Sequence, residues 1–285
     1  MPGRSVANPC PLPVWVVRAR VGAVCGRYAA SRNPDDLVEE FEVEQAPAET
    51  LRASWNVAPT QDVYAVIERP PRGEQDAPAQ RQLQVARWGL VPSWAKDPSI
   101  GNRLINARME TVAEKPAFRK AFAKRRALLP ADGYFEWYGE KKGKKQPFFI
   151  TPSDGGVLAM AGLYELWRDP SVPEDSEDPD VDPWLWTVTV LTTSATDDLG
   201  RIHDRMPLLV ERDRYAEWLD PGVDEPDRLR GLLVPAAPGR LTAYPVSTTV
   251  NNVRNNGPEL VEPIPLEGAP DELAAAADDG TAPLF

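Results

Sequence analysis

Short apolar, β-prone runs separated by proline, glycine and polar residues recur along most of this chain. Runs of this kind, rich in β-branched and aromatic residues, are typical of strands. One strongly β-prone run is Trp184–Thr192. The predicted strands are 63–67, 83–88, 127–129, 133–138, 147–151, 157–164, 184–192 and 242–247.

A smaller number of segments have apolar residues at helical spacing. Pro34–Phe41 combines this spacing with acidic residues in its first turn, which favours a helix. Residues 111–126 fit a longer amphipathic helix, with Phe118 and Phe122 four positions apart. Two further short helices are predicted at 212–218 and 226–233.

The order of these elements defines the expected fold class. Strands and helices are interspersed without a βαβ rhythm or an internal repeat, and the 31 prolines oppose a bundle of long helices. We therefore expect one α+β domain, 25–265, built on an antiparallel, barrel-like β-sheet with peripheral helices. The composition of 1–24 is unlike the rest, and 266–285 is predicted to be a disordered acidic tail. An acidic, proline-rich loop is predicted at 169–183.

Composition excludes several classes of function. No apolar run approaches the roughly 20 residues of a membrane span, and the short run at 11–17 is followed by arginines rather than a cleavage site. We expect a cytoplasmic protein without membrane contact. The chain has two cysteines, Cys10 and Cys25, and one histidine, His203. These numbers oppose a disulfide framework and a multi-histidine zinc site. Nothing in the sequence indicates a metal or an organic cofactor, so neither is expected.

Charge is unevenly distributed along the chain. The formal net charge is −11, yet residues 114–145 contain ten Lys/Arg and only four acidic residues. A local basic strip can hold a phosphate backbone even in an acidic protein. The alternative, a solvated charged face, accounts for most such strips. Within it, Lys141–Lys145 is predicted to form a basic hairpin turn.

Four short segments place a reactive or polar residue beside residues that need a defined backbone. Each has an ordinary structural explanation when taken singly: a cysteine is often a small buried apolar residue, and a lone histidine is often structural. The four segments are 25–28 (CGRY), 104–111 (LINARMET), 132–138 (DGYFEWY) and 202–207 (IHDRMP).

Together these segments resemble the SOS response-associated peptidase (SRAP) family of abasic-site processing proteins. The order and spacing of the motifs match from Cys25 to about residue 265. The motifs beyond those four are NVAP (56–59), WGL-P-W (88–94), K-KQP (144–147) and PVS…N-N-G (245–257).

The chemistry of an N-terminal cysteine suits the ring-opened aldehyde of an abasic site. Its amine can condense with the aldehyde to an imine, and its thiol, on the adjacent carbon, can then close a thiazolidine ring. An α-amino group has a pKa near 8, so more of it is unprotonated at neutral pH than of a lysine amine. The expected activity is a self-sacrificing, lyase-like DNA–protein crosslink to abasic sites in single-stranded DNA.

The resemblance implies four catalytic residues. Cys25 supplies both nucleophiles, and Asn106 holds the amine or the sugar by hydrogen bonds. Glu136, flanked by aromatic residues that raise its pKa, shuttles protons during imine formation. His203 assists opening of the sugar ring and reversal of the crosslink.

The resemblance also implies the residues that contact DNA. Arg27 and Arg108 are expected to grip phosphates next to the lesion. Trp94 is expected to stack on a base as a wedge, with an ordinary core position as the alternative. Pro59, at the end of the NVAP motif, is the fourth expected contact. The expected partner is single-stranded DNA, bound by a monomer.

The position of the cysteine departs from the family, in which it follows the initiator methionine. Here 24 residues precede Cys25, so its nitrogen is an amide and cannot form an imine. Either the start is misassigned and Val24 is the initiator, encoded by GTG and read as methionine, or 1–24 is a propeptide. We favour the first explanation. The second matches the autopeptidase activity that the family's peptidase label implies.

Two other functions remain open from the sequence. One is a single-stranded DNA-binding module without catalysis. The other is a thiol peptidase that uses Cys25, Glu136 and His203. The need for a free Cys25 amine distinguishes the crosslinker from both of these alternatives, because neither of them requires it.

Overall fold

A computed structural model describes residues 25–71, 73–74, 76–139, 145–174, 182–195, 202–233, 235–237 and 239–265. The predicted leader, 1–24, and tail, 266–285, lie outside these residues. So do the predicted basic turn, except for Lys145, and the centre of the acidic loop, 175–181. Within the described part of the chain, no helix is long and apolar enough to cross a membrane.

Twelve strands and four α-helices organise the described residues. The strands are β1 (Tyr28–Ala30), β2 (Ser54–Val57), β3 (Asp62–Arg69), β4 (Gln80–Trp88), β5 (Asn106–Arg108), β6 (Arg126–Ala131), β7 (Gly133–Tyr138), β8 (Gln146–Pro152), β9 (Leu158–Arg168), β10 (Trp184–Ser194), β11 (Arg205–Pro207) and β12 (Leu241–Pro245). The helices are α1 (Pro34–Glu40), α2 (Arg119–Lys124), α3 (Tyr215–Leu219) and α4 (Pro226–Leu232).

The strands form two sheets, one of which closes on itself. Strands β10, β4, β3, β6 and β9 follow one another, and β9 pairs again with β10, which closes a five-stranded barrel. The short strands β5 and β11 extend it by pairing with the second half of β10. The other sheet has the order β12-β8-β7-β1-β2. The predicted α+β, barrel-like fold is confirmed, although β10 pairs with β4 and β5 in parallel.

Helix α1 begins where its local sequence favours a helix start. The side chain of Asn33 accepts a hydrogen bond of 3.0 Å from the backbone N–H of Asp35, and Pro34 occupies the first turn. Both features are favoured at a helix start. The helix buries Leu37, and Phe41 just beyond it is completely buried.

The prediction of a continuous helix over 111–126 is wrong, because only Arg119–Lys124 is α-helical. Pro116 lacks a backbone N–H and disfavours helical geometry in the residue before it, so the chain turns repeatedly until Phe118. Phe118 and Phe122 nevertheless pack in the same apolar cluster, as their spacing predicts.

Three apolar clusters hold these layers together. The first combines residues of the barrel with one face of the five-stranded sheet, and it includes Cys25. The second packs α1–α4 against the barrel. The third covers the opposite face of the five-stranded sheet. Cys25 therefore lies between the two sheets.

Candidate active site

The alternation of side chains along β7 directs Glu136 toward Cys25. Tyr134 belongs to the same apolar cluster as Cys25, whereas Phe135 belongs to the cluster on the opposite face. Because successive residues of a strand point to opposite faces, Glu136 shares the face of Tyr134. Its side chain is only 3% exposed among apolar neighbours.

Three of the four predicted catalytic residues meet at Cys25. The backbone N–H of Cys25 donates a 2.7 Å hydrogen bond to Oε1 of Glu136, which is 111 positions away in the sequence. The side-chain amide of Asn106 donates a 3.4 Å bond to the carbonyl oxygen of Cys25. Cys25 itself is fully buried and has a φ of +42°, in the region that non-glycine residues rarely adopt. Its main-chain groups are thus held from both sides by polar side chains.

Burial makes the Glu136 carboxyl a group that titrates near neutral pH. Its pKa is raised from 4.5 to about 8, chiefly by desolvation and in smaller part by the negative charge of Asp204. The Cys25 N–H and the charge of Lys145 act in the opposite direction. Burial, followed by the charge of Glu136, raises the pKa of the Cys25 thiol well above its usual value. This site therefore favours a carboxyl that exchanges protons and a thiol that stays protonated.

His203 lies in the connection between β10 and β11, next to Asp204, whose negative charge raises the pKa of Glu136. Its Nδ1 is 3.1 Å from the backbone nitrogen of Arg205 and 3.2 Å from Oδ1 of Asp204. We assign the hydrogen bond to Arg205, because its N–H can donate to an unprotonated Nδ1, whereas a carboxylate cannot. Among the described residues, no hydrogen bond joins His203 to Cys25 or Glu136.

Arg27 is tied into a loop on the other side of the five-stranded sheet. One of its terminal nitrogens donates to Oδ1 of Asn56 at 2.6 Å and to the carbonyl of Val250 at 2.9 Å. Its guanidinium carbon lies 5.8 Å from the ring centroid of Trp137, in cation–π contact. Arg27 is half-buried, and these contacts fix its direction.

Asn56 is a structural residue that the sequence reasoning missed. Besides accepting from Arg27, its amide donates to the carbonyls of Val250, Asn252 and Asn255, at 2.8–3.3 Å. The motif NVAP contained this residue, and an asparagine between apolar residues in a strand was the available signal, since strands disfavour asparagine. Asn56 therefore joins β2 to the loop that contains residues 250–255.

The other predicted DNA contacts lie toward the surface. Arg108 is exposed at the end of β5, and Pro59 is half-buried after β2. Trp94 is 58% exposed, which rules out a core position for it. The turn that carries Trp94 is anchored by Trp167, whose indole N–H donates to the carbonyl of Ala95 at 2.7 Å.

The basic strip is not one continuous cationic surface. Arg126 is buried, and its guanidinium donates to the main-chain carbonyls of four residues at helix ends. Arg125 pairs with Glu165 at 2.6 Å, and Lys124 pairs with Asp224 at 2.8 Å. Within the described part of the strip, these three cations are therefore engaged within the protein.

Fold and site together define an α+β barrel protein with a buried cysteine whose main chain is held by a carboxyl and an amide. A family model described as "SOS response associated peptidase (SRAP)" matches residues 24–253. The chain belongs to this family, which confirms the resemblance seen in its motifs.

Similarity to known proteins extends over most of the chain. It is 38% identical over 240 residues to the abasic site processing protein YoqW of Bacillus subtilis (strain 168), covering 84% of this chain and 99% of YoqW. It is 33% identical over 249 residues to the abasic site processing protein YedK of Escherichia coli (strain K12), covering 85% and 100%. A crystal structure of a protein from Bacteroides thetaiotaomicron shares the fold, with a TM-score of 0.68 at 23% identity, covering 84% of this chain and 100% of that one.

Proposed function

We propose that this protein processes abasic sites in DNA by forming a covalent crosslink between Cys25, as the N-terminal residue, and the aldehyde of an abasic site in single-stranded DNA. Membership of the SRAP family and the names of the two curated relatives support DNA-damage processing at abasic sites. The finer chemistry is inferred from the site.

The observation that carries the proposal is the 2.7 Å hydrogen bond between the Cys25 nitrogen and Glu136. A carboxyl with a pKa of about 8 has both protonation states populated at neutral pH, and it lies against the atom that would attack. A general acid–base needs this proximity and this pKa. An ammonium in place of the amide N–H would lower the pKa of Glu136, so amine and carboxyl would share one proton.

The proposed reaction has three steps: addition of the amine, loss of water and closure of the ring. The neutral Cys25 amine adds to the aldehyde carbon, and its proton passes through Glu136 to the carbonyl oxygen, which gives a carbinolamine. Protonated Glu136 then gives its proton to the hydroxyl, which departs as water, and the resulting carboxylate takes back the remaining N–H proton, which leaves an imine. Finally the thiol adds across the imine, its proton moving to nitrogen, and closes the thiazolidine ring.

The environment of Cys25 favours the amine over the thiolate as the first nucleophile. Burial and the charge of Glu136 both raise the pKa of the thiol, whereas a cysteine peptidase needs a low thiol pKa and an adjacent histidine. These features support the crosslinker over the peptidase.

Four side chains outside the buried site are proposed to hold the strand. In this proposal Trp94 stacks on a base beside the lesion, and Arg108 pairs with a phosphate. Pro59 and Arg27 are proposed as further contacts. A binding module alone would use the same groups, but it would need no titratable carboxyl at Cys25.

The proposal requires a free Cys25 amine, so it is tested by comparing two forms of the protein. One begins with methionine at position 24, whose removal exposes Cys25, and the other is the 285-residue chain. Each is incubated with a single-stranded oligonucleotide that contains one abasic site, then run on a denaturing gel.

A shifted band with the short form alone is expected. A band with both forms indicates cleavage before Cys25, which intact mass would locate. Native-gel binding by both forms without any covalent band would replace the proposal with the binding module.

A further inference from the structure

Arg205 makes a two-point ion pair beside the site. Its two terminal nitrogens contact the two carboxylate oxygens of Glu110, at 2.5 and 3.0 Å. One of them also donates to the carbonyl of Thr192 at 2.7 Å. The Arg205 side chain is only 11% exposed, and its hydrogen bond lowers the pKa of Glu110. A bidentate pair of this kind fixes direction as well as distance.

The pair connects the strand that carries Asn106 with the strand that directly follows His203. Glu110 lies two residues after β5, which contains Asn106, and Arg205 begins β11. Both strands pair with the end of β10, where Thr192 lies opposite Arg108 on one side and Pro207 on the other. Glu110 and Arg205 therefore bridge the neighbours of β10 across its end.

The main chain of Arg205 also determines the state of the His203 ring. Its N–H donates to Nδ1 of His203, so the neutral imidazole carries its proton on Nε2. A shift of Arg205 would move this donor and release the ring. The side chain of Arg205 thus fixes the backbone group that orients His203.

We propose that Glu110 and Arg205 are positioning residues, which hold His203 in the orientation and tautomer needed to open the sugar ring of the abasic site. This inference rests on the proposed function. An exposed ion pair elsewhere on the protein would contribute little to either stability or rate. Here the pair acts on the rate because it sets the geometry of His203.

Two substrates separate ring opening from the later bond formation. The first is an oligonucleotide with a natural abasic site, whose sugar is mostly closed. The second carries an acyclic aldehyde at the same position and needs no ring opening. Single-turnover rates of adduct formation are measured at saturating DNA, with the form that begins at Cys25. The variants are Glu110→Gln, His203→Ala and, as a control on α3, Glu217→Gln, which breaks the exposed 2.7 Å pair with Arg228 of α4.

Glu110→Gln should slow the reaction of the natural abasic site about tenfold and leave the acyclic aldehyde within about twofold of the parent protein. His203→Ala should show the same selectivity with a larger effect, and Glu217→Gln should change neither rate. Glu110→Asp, which keeps the charge, should recover part of the lost rate.

Three other results would overturn parts of this account in distinguishable ways. Equal slowing of both substrates by Glu110→Gln would mean a general structural role and would remove the positioning role. Unchanged rates would remove it as well. No adduct with either substrate in the parent protein would overturn the proposed function itself.

Discussion

Replacing Glu136 with glutamine removes one titratable group while keeping its shape and its acceptor oxygen for the Cys25 N–H. The folded chain raises the pKa of this carboxyl from 4.5 to about 8, chiefly by desolvation. A pKa raised by folding contributes stability that is fully present below pH 4.5 and is lost as the pH rises to about 8. Each pH unit in this window costs about 1.4 kcal/mol, so the total reaches about 5 kcal/mol.

The matching assay is urea unfolding of the 285-residue chain at several values between pH 4.5 and 8.5. The unfolding free energy of the parent protein should decline with pH relative to that of Glu136→Gln, by up to about 5 kcal/mol over the window. Glu39→Gln, an exposed change on α1, is the matched control and should follow the parent curve. Parallel curves for the parent and Glu136→Gln would refute the raised pKa. In the form that begins at Cys25, Glu136→Gln should also slow adduct formation at least about 100-fold, without weaker DNA binding.

Three further substitutions test the surface and the core. Arg108→Ala should weaken DNA binding and lower the slope of log affinity against log salt by about one, in a fluorescence anisotropy titration; an unchanged affinity would remove this phosphate contact. Trp94→Ala should cost about 1–3 kcal/mol of binding energy by the same titration while changing stability by less than about 0.5 kcal/mol, since the side chain is exposed; an equal loss of both would indicate a packing role. The hydroxyl of Tyr28 is buried without a hydrogen-bond partner among the described residues, so Tyr28→Phe should leave the unfolding free energy unchanged or higher. A urea midpoint well below that of the parent would contradict this.

Local elements of the fold were readable from the sequence, and long-range pairing was not. β7 has the predicted bounds, 133–138, because its aromatic residues favour a strand and glycines lie at its first position and just after its last. Closure of the barrel by β9 and β10, and the parallel pairing of β4 with β10, depend on contacts between distant segments. No local pattern encodes these pairings.

The site shows the same division. The motifs named candidate residues, but the contact of Cys25 with Glu136 joins positions 111 residues apart and appears only in the folded chain. The position of Arg126 also differs from what its sequence neighbours suggest. A cation within a basic strip is usually solvated, yet here it is buried because helix-end carbonyls accept its hydrogen bonds.

A bond between the Cys25 nitrogen and the lesion is the step on which the proposed function depends. Its most direct test is intact mass spectrometry of the protein that begins at Cys25, with its N-terminus free or acetylated, after reaction with abasic single-stranded DNA. The free form should give one adduct, whose mass is that of protein and DNA less one water, and peptide mapping should locate it at Cys25. The acetylated form should give none. Equal adduct formation by the acetylated protein would contradict the account, because the thiol or another residue would then carry the bond.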